Sequence, residues 1–358
     1  MRYLYDFSTE LKSPILSIAP IEQQDALLLC TVDGLYQWNF SSQKLMRIMS
    51  ITLPTLPESN DPYRPPHYQL YSSKSGLYSA IVINYGQFGQ VFDHKEKNVI
   101  LNLNGQHYYD NMVPFSLAFC TLEQDDIVIY RSDWNRLDSF NLTQKKSSTE
   151  RDIAPYQQEN RPEHYLDYFH GALSVSPDGK YLLDDGWLWQ GIAMTHLCSL
   201  QDWLTKNPFE SEDGKSLQSI AFEEEGWDYP ICWQTEDTFL MWQNVVSAEE
   251  HDGAQGHESV VCPHVRMNQI LADQSIQTEL WKMPEQTQKI LNMYADDGKL
   301  MIIGNENISI YDIHSRQCIK QIPNTLPQKQ HINRHSLWSF QQHHLIETPY
   351  KNMDIAHA

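Results

Sequence analysis

Between Lys289 and Ile322 the chain alternates short apolar runs with turn residues. Ile290 to Met293, Leu300 to Ile303, Ile308 to Asp312 and Cys318 to Ile322 are the apolar runs. Asp296-Asp297-Gly298, Gly304 to Asn307 and His314 to Arg316 separate them. Runs of this length, with period-two alternation and Gly, Asn or Asp at their ends, predict an antiparallel meander of four strands. A single meander cannot cover both of its faces, so the pattern also predicts neighbours of the same kind.

Those neighbours are present. Comparable units run over 14–51, 67–103, 114–150, 171–225 and 229–284, ahead of 289–322, and a partial unit covers 335–350. Their second strands are predicted to start at Leu27, Tyr78, Ile127, Tyr181, Phe239, Leu300 and Leu345, spacings of about 45 to 61 residues. Ser176-Pro177-Asp178-Gly179-Lys180 has the turn chemistry of a tight hairpin. Three stretches break the pattern. Leu53 to Pro66 is proline-rich and poor in donors. Leu197 to Lys206 has the amphipathic spacing of a short helix, and Trp187-Leu188-Trp189 ahead of it lacks the expected Asp. Ser247 to Glu258 reads as a polar surface loop. Residues 1–8 contain a lone strand, Tyr3 to Asp6, which predicts a closing strand for the last unit.

Ile308-Ser309-Ile310-Tyr311-Asp312, followed by a turn and Cys318 to Ile322, resembles the second half of a WD-type β-propeller blade. Tyr311 stands where the signature Trp would be, and no Gly-His pair precedes the unit, so the resemblance is to a degenerate WD-repeat. It implies an all-β fold: one β-propeller domain over 1–358, with seven four-stranded blades and the N-terminal strand joining the last. The distorted fourth and fifth units leave six and eight blades open. Propellers serve both as binding platforms and as enzymes, so the resemblance informs fold more than function.

Charge narrows the partners. Lys and Arg number 26 against 46 Asp and Glu, a formal net charge of −20. That balance argues against nucleic acid, which demands a basic surface, and against an anionic membrane. It would steer a basic protein towards the chain. No apolar leader or membrane-length run is visible, and the six cysteines lack a C-x-x-C pair. Reduced thiols and a cytoplasmic location are therefore expected.

Candidate chemistry is sparse. His251, His257, Cys262 and His264 lie close enough for a zinc site, but without paired ligand spacing. His331, His335, His343 and His344 form a second, looser group. Asp184-Asp185 and Glu223-Glu224-Glu225 could act as paired carboxylates, although Asp184-Asp185-Gly186 reads as a solvated turn. No P-loop, dinucleotide fingerprint, Gly-x-Ser-x-Gly or His-Glu-x-x-His occurs, and no motif calls for a cofactor. Aromatic residues are the remaining signal. Trp233 and Trp242 sit on apolar strands and read as core. Trp134, Trp187 and Trp227 fall beside Asp or Gly in predicted loops, where Trp serves as an interface anchor. The expected partner surface thus comprises Trp134, Asp184, Asp185, Trp187, Trp203, Glu223, Glu224, Glu225 and Trp227. The expected role is a non-enzymatic protein binder, in its sharper form an acidic immunity-type inhibitor of a basic toxin or nuclease domain. The alternatives are a lactonase-like hydrolase in the central funnel and a scaffold subunit of a larger assembly.

Overall fold

The computed structural model describes residues 2–153, 161–189, 191–224, 228–248, 259–284, 288–326, 330–333 and 336–349. They form seven four-stranded antiparallel sheets arranged as the blades of a ring. Blade 1 contains Ser17–Ile21, Ala26–Cys30, Gly34–Asn39 and Lys44–Ser50. Blade 2 contains His67–Ser72, Tyr78–Asn84, Phe88–Asp93 and Asn98–Asn104. Blade 3 contains Leu117–Leu122, Asp125–Asp133, Arg136–Asn141 and a two-residue outer strand, Lys146–Ser147. Blade 4 contains Phe169–Val175, Tyr181–Leu188, Ile192–Ser199 and Gln218–Glu224. Blade 5 contains Ile231–Trp233, Thr238–Ala248, Ser259–Ile270 and Ile276–Lys282. Blade 6 contains Ile290–Asp296, Lys299–Gly304, Asn307–Asp312 and Cys318–Pro323.

Blade 7 joins the two ends of the chain. Gln330–Asn333, Ser336–Gln341 and His344–Pro349 supply three strands, and Tyr3–Asp6 pairs with the last of these as the outermost. The predicted half-unit is therefore three strands, and Leu345 lies on its third strand rather than its second.

Burial explains why the second strands read as apolar runs. Each sheet packs a neighbour on both faces, so the alternation points successive residues at different blades. Leu27 and Leu29 face Trp338 and Leu345 of blade 7, while Leu28 and Cys30 face Leu70 and Ile81 of blade 2. The same division repeats around the ring and yields seven apolar clusters, one per interface.

Strand alternation sorts the connections into two faces. First-to-second and third-to-fourth turns lie on one face. Second-to-third turns and blade-to-blade connections lie on the other. On the first face the Lys74 ammonium donates to the Pro177 carbonyl at 2.8 Å, linking blades 2 and 4. On the second the Tyr85 hydroxyl donates to Asp228 Oδ2 at 3.1 Å, linking blade 2 to the approach of blade 5. The proline-rich Leu53 to Pro66 connection belongs to this second face.

Blade 4 departs from expectation. Trp187 and Leu188 belong to its second strand, and Leu197 to Ser199 finish its third. The helix begins only at Leu200 and runs to Thr205, capped by the Ser199 hydroxyl. Asp184-Asp185-Gly186 is mid-strand, not a turn. The turn at this end of the strand lies between Leu188 and Ile192, and the antiparallel neighbours on both sides of the strand supply the pairing that overrides the local turn signal. Among the described residues no helix is long and apolar enough to cross a membrane.

The closing strand gives a direct test. Phe7 is buried, Tyr5 packs on Trp38 and Trp338, and the Tyr5 hydroxyl donates to Glu347 at 2.9 Å. Deleting Met1 to Phe7 leaves His344–Pro349 as an open edge and strips that aromatic contact. Loss of one buried Phe alone costs about 3 kcal/mol or more. Thermal unfolding should drop by several degrees or lose its single transition; an unchanged melt would refute closure.

Candidate partner-binding site

An eighth apolar cluster lies on the face that carries the blade-to-blade connections, outside the seven of the ring. Val113, Phe169 and Trp187 form its buried centre, with Met112, Trp134 and Trp189 packed around them. Four connections converge here. Tyr108 and Tyr109 come from the link between blades 2 and 3, and Trp134 from the Trp134-Asn135 turn of blade 3. Tyr165 comes from the link into blade 4, and Trp189 from blade 4's own turn. Trp134 meets Phe169 at 4.6 Å between ring centroids, and Phe169 meets Trp187 at 4.5 Å. Tyr108 bridges Trp134 at 5.4 Å and Trp189 at 6.0 Å. The inner rings are sealed, whereas Tyr108 and Tyr109 are 48% and 46% exposed.

The register shifts between Phe169 and Ala172, which re-aims that strand beneath the cluster. Gly171 lies at the shift, where a Cβ would collide with the Asp185 carbonyl oxygen, so the two strands approach this closely only without a side chain. A buried cation steadies the neighbouring link. Arg131 donates to the Gly86 carbonyl at 3.0 Å and lies over the Phe115 ring. Burial pulls its guanidinium down to about 10, while the charges of Asp110 and Asp133 oppose the shift.

Beside the aromatic cluster, on the flank where blade 3 has almost no outer strand, is a cavity of about 590 Å³. Arg151 does part of the missing strand's work. Its guanidinium, 2% exposed, donates to the Leu137 carbonyl at 2.8 Å and to Asp138 at 2.7 Å, and it also pairs with Glu212. Glu212 belongs to a short helical turn, Glu210–Asp213. His164 stacks on Phe209 at 3.9 Å and meets Asp213 at 2.9 Å, tying the link into blade 4 to the same turn.

Behind the aromatic face lies a row of buried acids. Asp184 meets His170 Nδ1 at 2.5 Å and accepts from the Gly171 amide at 3.2 Å. Asp185, the next residue, points to the other side of the sheet, where the Thr195 hydroxyl donates to it at 2.7 Å. Burial pushes the Asp185 carboxyl up to about 8, opposed by the Thr195 hydrogen bond and reinforced by the charges of Asp228 and Asp184. Burial likewise raises Asp228 to about 6, against the Tyr85 hydrogen bond and the charges of Arg64 and Lys289. Asp228 Oδ1 is sealed from solvent and has no hydrogen-bond partner among the described residues.

The predicted partner surface is therefore only partly assembled. Trp134 lines the cavity and the aromatic face. Trp187 and Trp203 are corrected to core: Trp187 is 6% exposed and Trp203 1%, the latter wedged between blades 3 and 4 with its indole N–H donating to the Pro208 carbonyl. Asp184 and Asp185 are likewise interior, because strand pairing draws them between sheets. Glu223 and Glu224 end the outer strand of blade 4. Glu225 and Trp227 lie outside the described residues, as do His251, His257 and His335. Cys262 and His264 stand on the third strand of blade 5. Among the described residues no three His, Cys, Asp or Glu side chains form a group able to hold a metal ion. Sequence reasoning missed Tyr63, Phe88, Tyr108, Tyr109, Tyr165 and Trp189. The adjacent Tyr108-Tyr109 in a link was a usable signal.

No family model matches the chain, and no curated protein is significantly similar to it in sequence. Its architecture is shared widely among solved structures. The Cps50 (Swd1) β-propeller domain of Myceliophteria thermophila superposes with a TM-score of 0.58 at 11% identity, covering 98% of this chain and 99% of that one. Kuenenia stuttgartiensis hydrazine synthase gives 0.56 at 11% identity over 92% and 93%. U3-55K gives 0.53 at 10% identity over 97% and 98%. Likeness at these identities defines the fold, a seven-bladed β-propeller.

The Asp185 shift has a measurable consequence. The folded protein binds this proton more tightly than the unfolded chain, whose carboxyl titrates near about 4. The associated stability is complete below about pH 4 and is lost as pH rises through about 8. Above about pH 6 the Asp228 contribution has largely titrated out. Between pH 6.5 and 8 stability should then fall with a slope approaching about 1.4 kcal/mol per pH unit. Asp185→Asn keeps the Thr195 acceptor and should flatten that slope in denaturant titrations. Parallel slopes for the two proteins would exclude Asp185 as the source.

Proposed function

We propose that this protein is a binding propeller that engages another protein through the face carrying its blade-to-blade connections, centred on blades 2 to 4. The observation that carries the reading is the arc of solvent-facing aromatic residues there. Tyr63 is 80% exposed in the proline-rich link, Phe88 begins the third strand of blade 2, and Tyr108 and Tyr109 follow in the next link. Exposed aromatics held on a rigid scaffold have the character of interface anchors. The long link at Leu53 to Pro66 and residues 161–168 of the link into blade 4 border the same arc, which is where a repeated scaffold places its specificity. A structural neighbour from a mitotic checkpoint complex, with a TM-score of 0.53 at 10% identity, is consistent with such a role.

The net charge of −20 supports a basic partner. The sharper reading, an immunity-type inhibitor that neutralises a basic toxin or nuclease domain, rests on that charge. A hydrolase in the central channel would declare itself in an esterase and lactonase panel.

Affinity capture on the purified protein, with mass-spectrometric identification, tests the proposal. A dedicated partner should be retained by the wild type and lost by a Tyr63→Ser/Tyr108→Ser double variant whose melting curve is unchanged. Raising salt from about 0.05 to 0.5 M should weaken retention steeply. A partner held equally by the double variant would move the interface elsewhere. A salt-insensitive complex would remove the basic-partner reading.

A further inference from the structure

The cavity at the flank of blades 3 and 4 has a composition that points to a specific ligand class. Trp134 forms steep corners with Tyr165, at 6.4 Å and 70°, and with Trp189, at 6.2 Å and 61°. Carboxylates stand at the rim. Asp167 accepts from the Trp189 indole N–H at 2.8 Å, and the neighbouring Glu163 side chain is 89% exposed. Three arginines also line the space, and they differ. Arg151 is held by Asp138 and Glu212, and Arg136 by Ser132 and Asp138. Their charges are answered within the protein and do not make an anion site.

Arg161 is the informative one. Its guanidinium carbon lies 5.4 Å from the Tyr165 ring centroid, and its NH2 group is 3.8 Å from Asp167 Oδ2, yet the side chain is 62% exposed. A guanidinium over an aromatic face with a carboxylate alongside is the arrangement in which Arg is recognised. The long, solvent-exposed pairing leaves Arg161 loosely held.

We propose that this cavity receives an arginine side chain from a basic protein partner, and that Arg161 is an internal competitor for the same aromatic and carboxylate groups. The inference rests on the protein-binding reading above and names what that partner presents. The cavity volume is ample for one arginine side chain with its hydration. A flat guanidinium uses the ring faces and Asp167 together, whereas a hydrated ammonium matches only the charge.

The test uses the full chain and N-acetyl-arginine amide as the probe, followed by ligand-observed NMR and calorimetry. Saturable binding with a dissociation constant of order millimolar is expected. N-acetyl-citrulline amide, of the same shape but neutral, should bind at least fivefold more weakly. Asp167→Asn and Trp134→Ala should weaken the arginine probe by a similar factor. Arg161→Gln should tighten it severalfold, an outcome that loss of a merely structural surface residue would not produce. Absence of saturable arginine binding, equal binding of citrulline, preference for a neutral sugar such as methyl glucoside, or weakened binding in Arg161→Gln would each overturn the proposal. If the probes fail while Tyr63→Ser/Tyr108→Ser still loses a captured protein, the cavity assignment falls and the protein-binding reading stands.

Discussion

Burial of each second strand on both faces is the interaction on which this molecule depends. A strand such as Ala26–Cys30, every residue of which is buried, has no solvent side. It needs a blade to its left and another to its right, and so does every blade after it. Only a closed ring satisfies all seven at once. The regular blades are consequently committed to one another, and their side chains have little left with which to recognise anything else. Recognition is left to the connections, whose lengths vary because they lie outside the seven inter-blade cores.

The aromatic cluster above blades 3 and 4 is built from that freedom. Its rings are contributed by links far apart in sequence, and a register shift at Gly171 lets the inner strand of blade 4 slide Phe169 beneath them. The flank beside it is open for a related reason: blade 3 ends in two residues of outer strand. Arg151 occupies part of that edge, and a guanidinium that bonds a strand's carbonyl and a neighbouring carboxylate can replace strand pairing without filling the space a strand would fill. The cavity and the truncated strand are thus the same feature described from two sides.

Architecture was legible because repetition averages out local error. Period-two patterning in blade 6 and the Ser176 to Lys180 hairpin each identify a local unit, and seven approximate copies fix the ring. Single positions were less legible. Asp184-Asp185-Gly186 carries turn chemistry, but pairing on both sides holds it as strand, and a buried aspartate reads no differently from a solvated one until its neighbours are known. Trp187 was assigned to the surface by the polarity of its sequence neighbours and Trp203 by its place in a helical insertion, while their actual surroundings are interior. The place of Trp134 in a turn was legible because a two-residue turn is a local property. The convergence of Tyr108, Tyr165 and Trp189 was not legible, because they come from three connections far apart in sequence.

The pairing of Tyr3–Asp6 with His344–Pro349 also sets an order of events during synthesis. The Tyr3–Asp6 strand is made ahead of every other strand of the ring and finds its partner only once the third strand of blade 7 has been made, and the ends of the loop it closes are separated by 342 residues in the Tyr5–Glu347 contact. The entropic penalty of closing so long a loop grows only slowly with length, but contacts this distant in sequence form late. Blades 1 to 6 must therefore wait as an open arc with an apolar flank at each end, Trp38 and Leu27 on one and Ile303 and Ile310 on the other. The nascent ring is most vulnerable to misassociation just before its closing blade is complete, so chaperone demand should concentrate while blade 7 is being made.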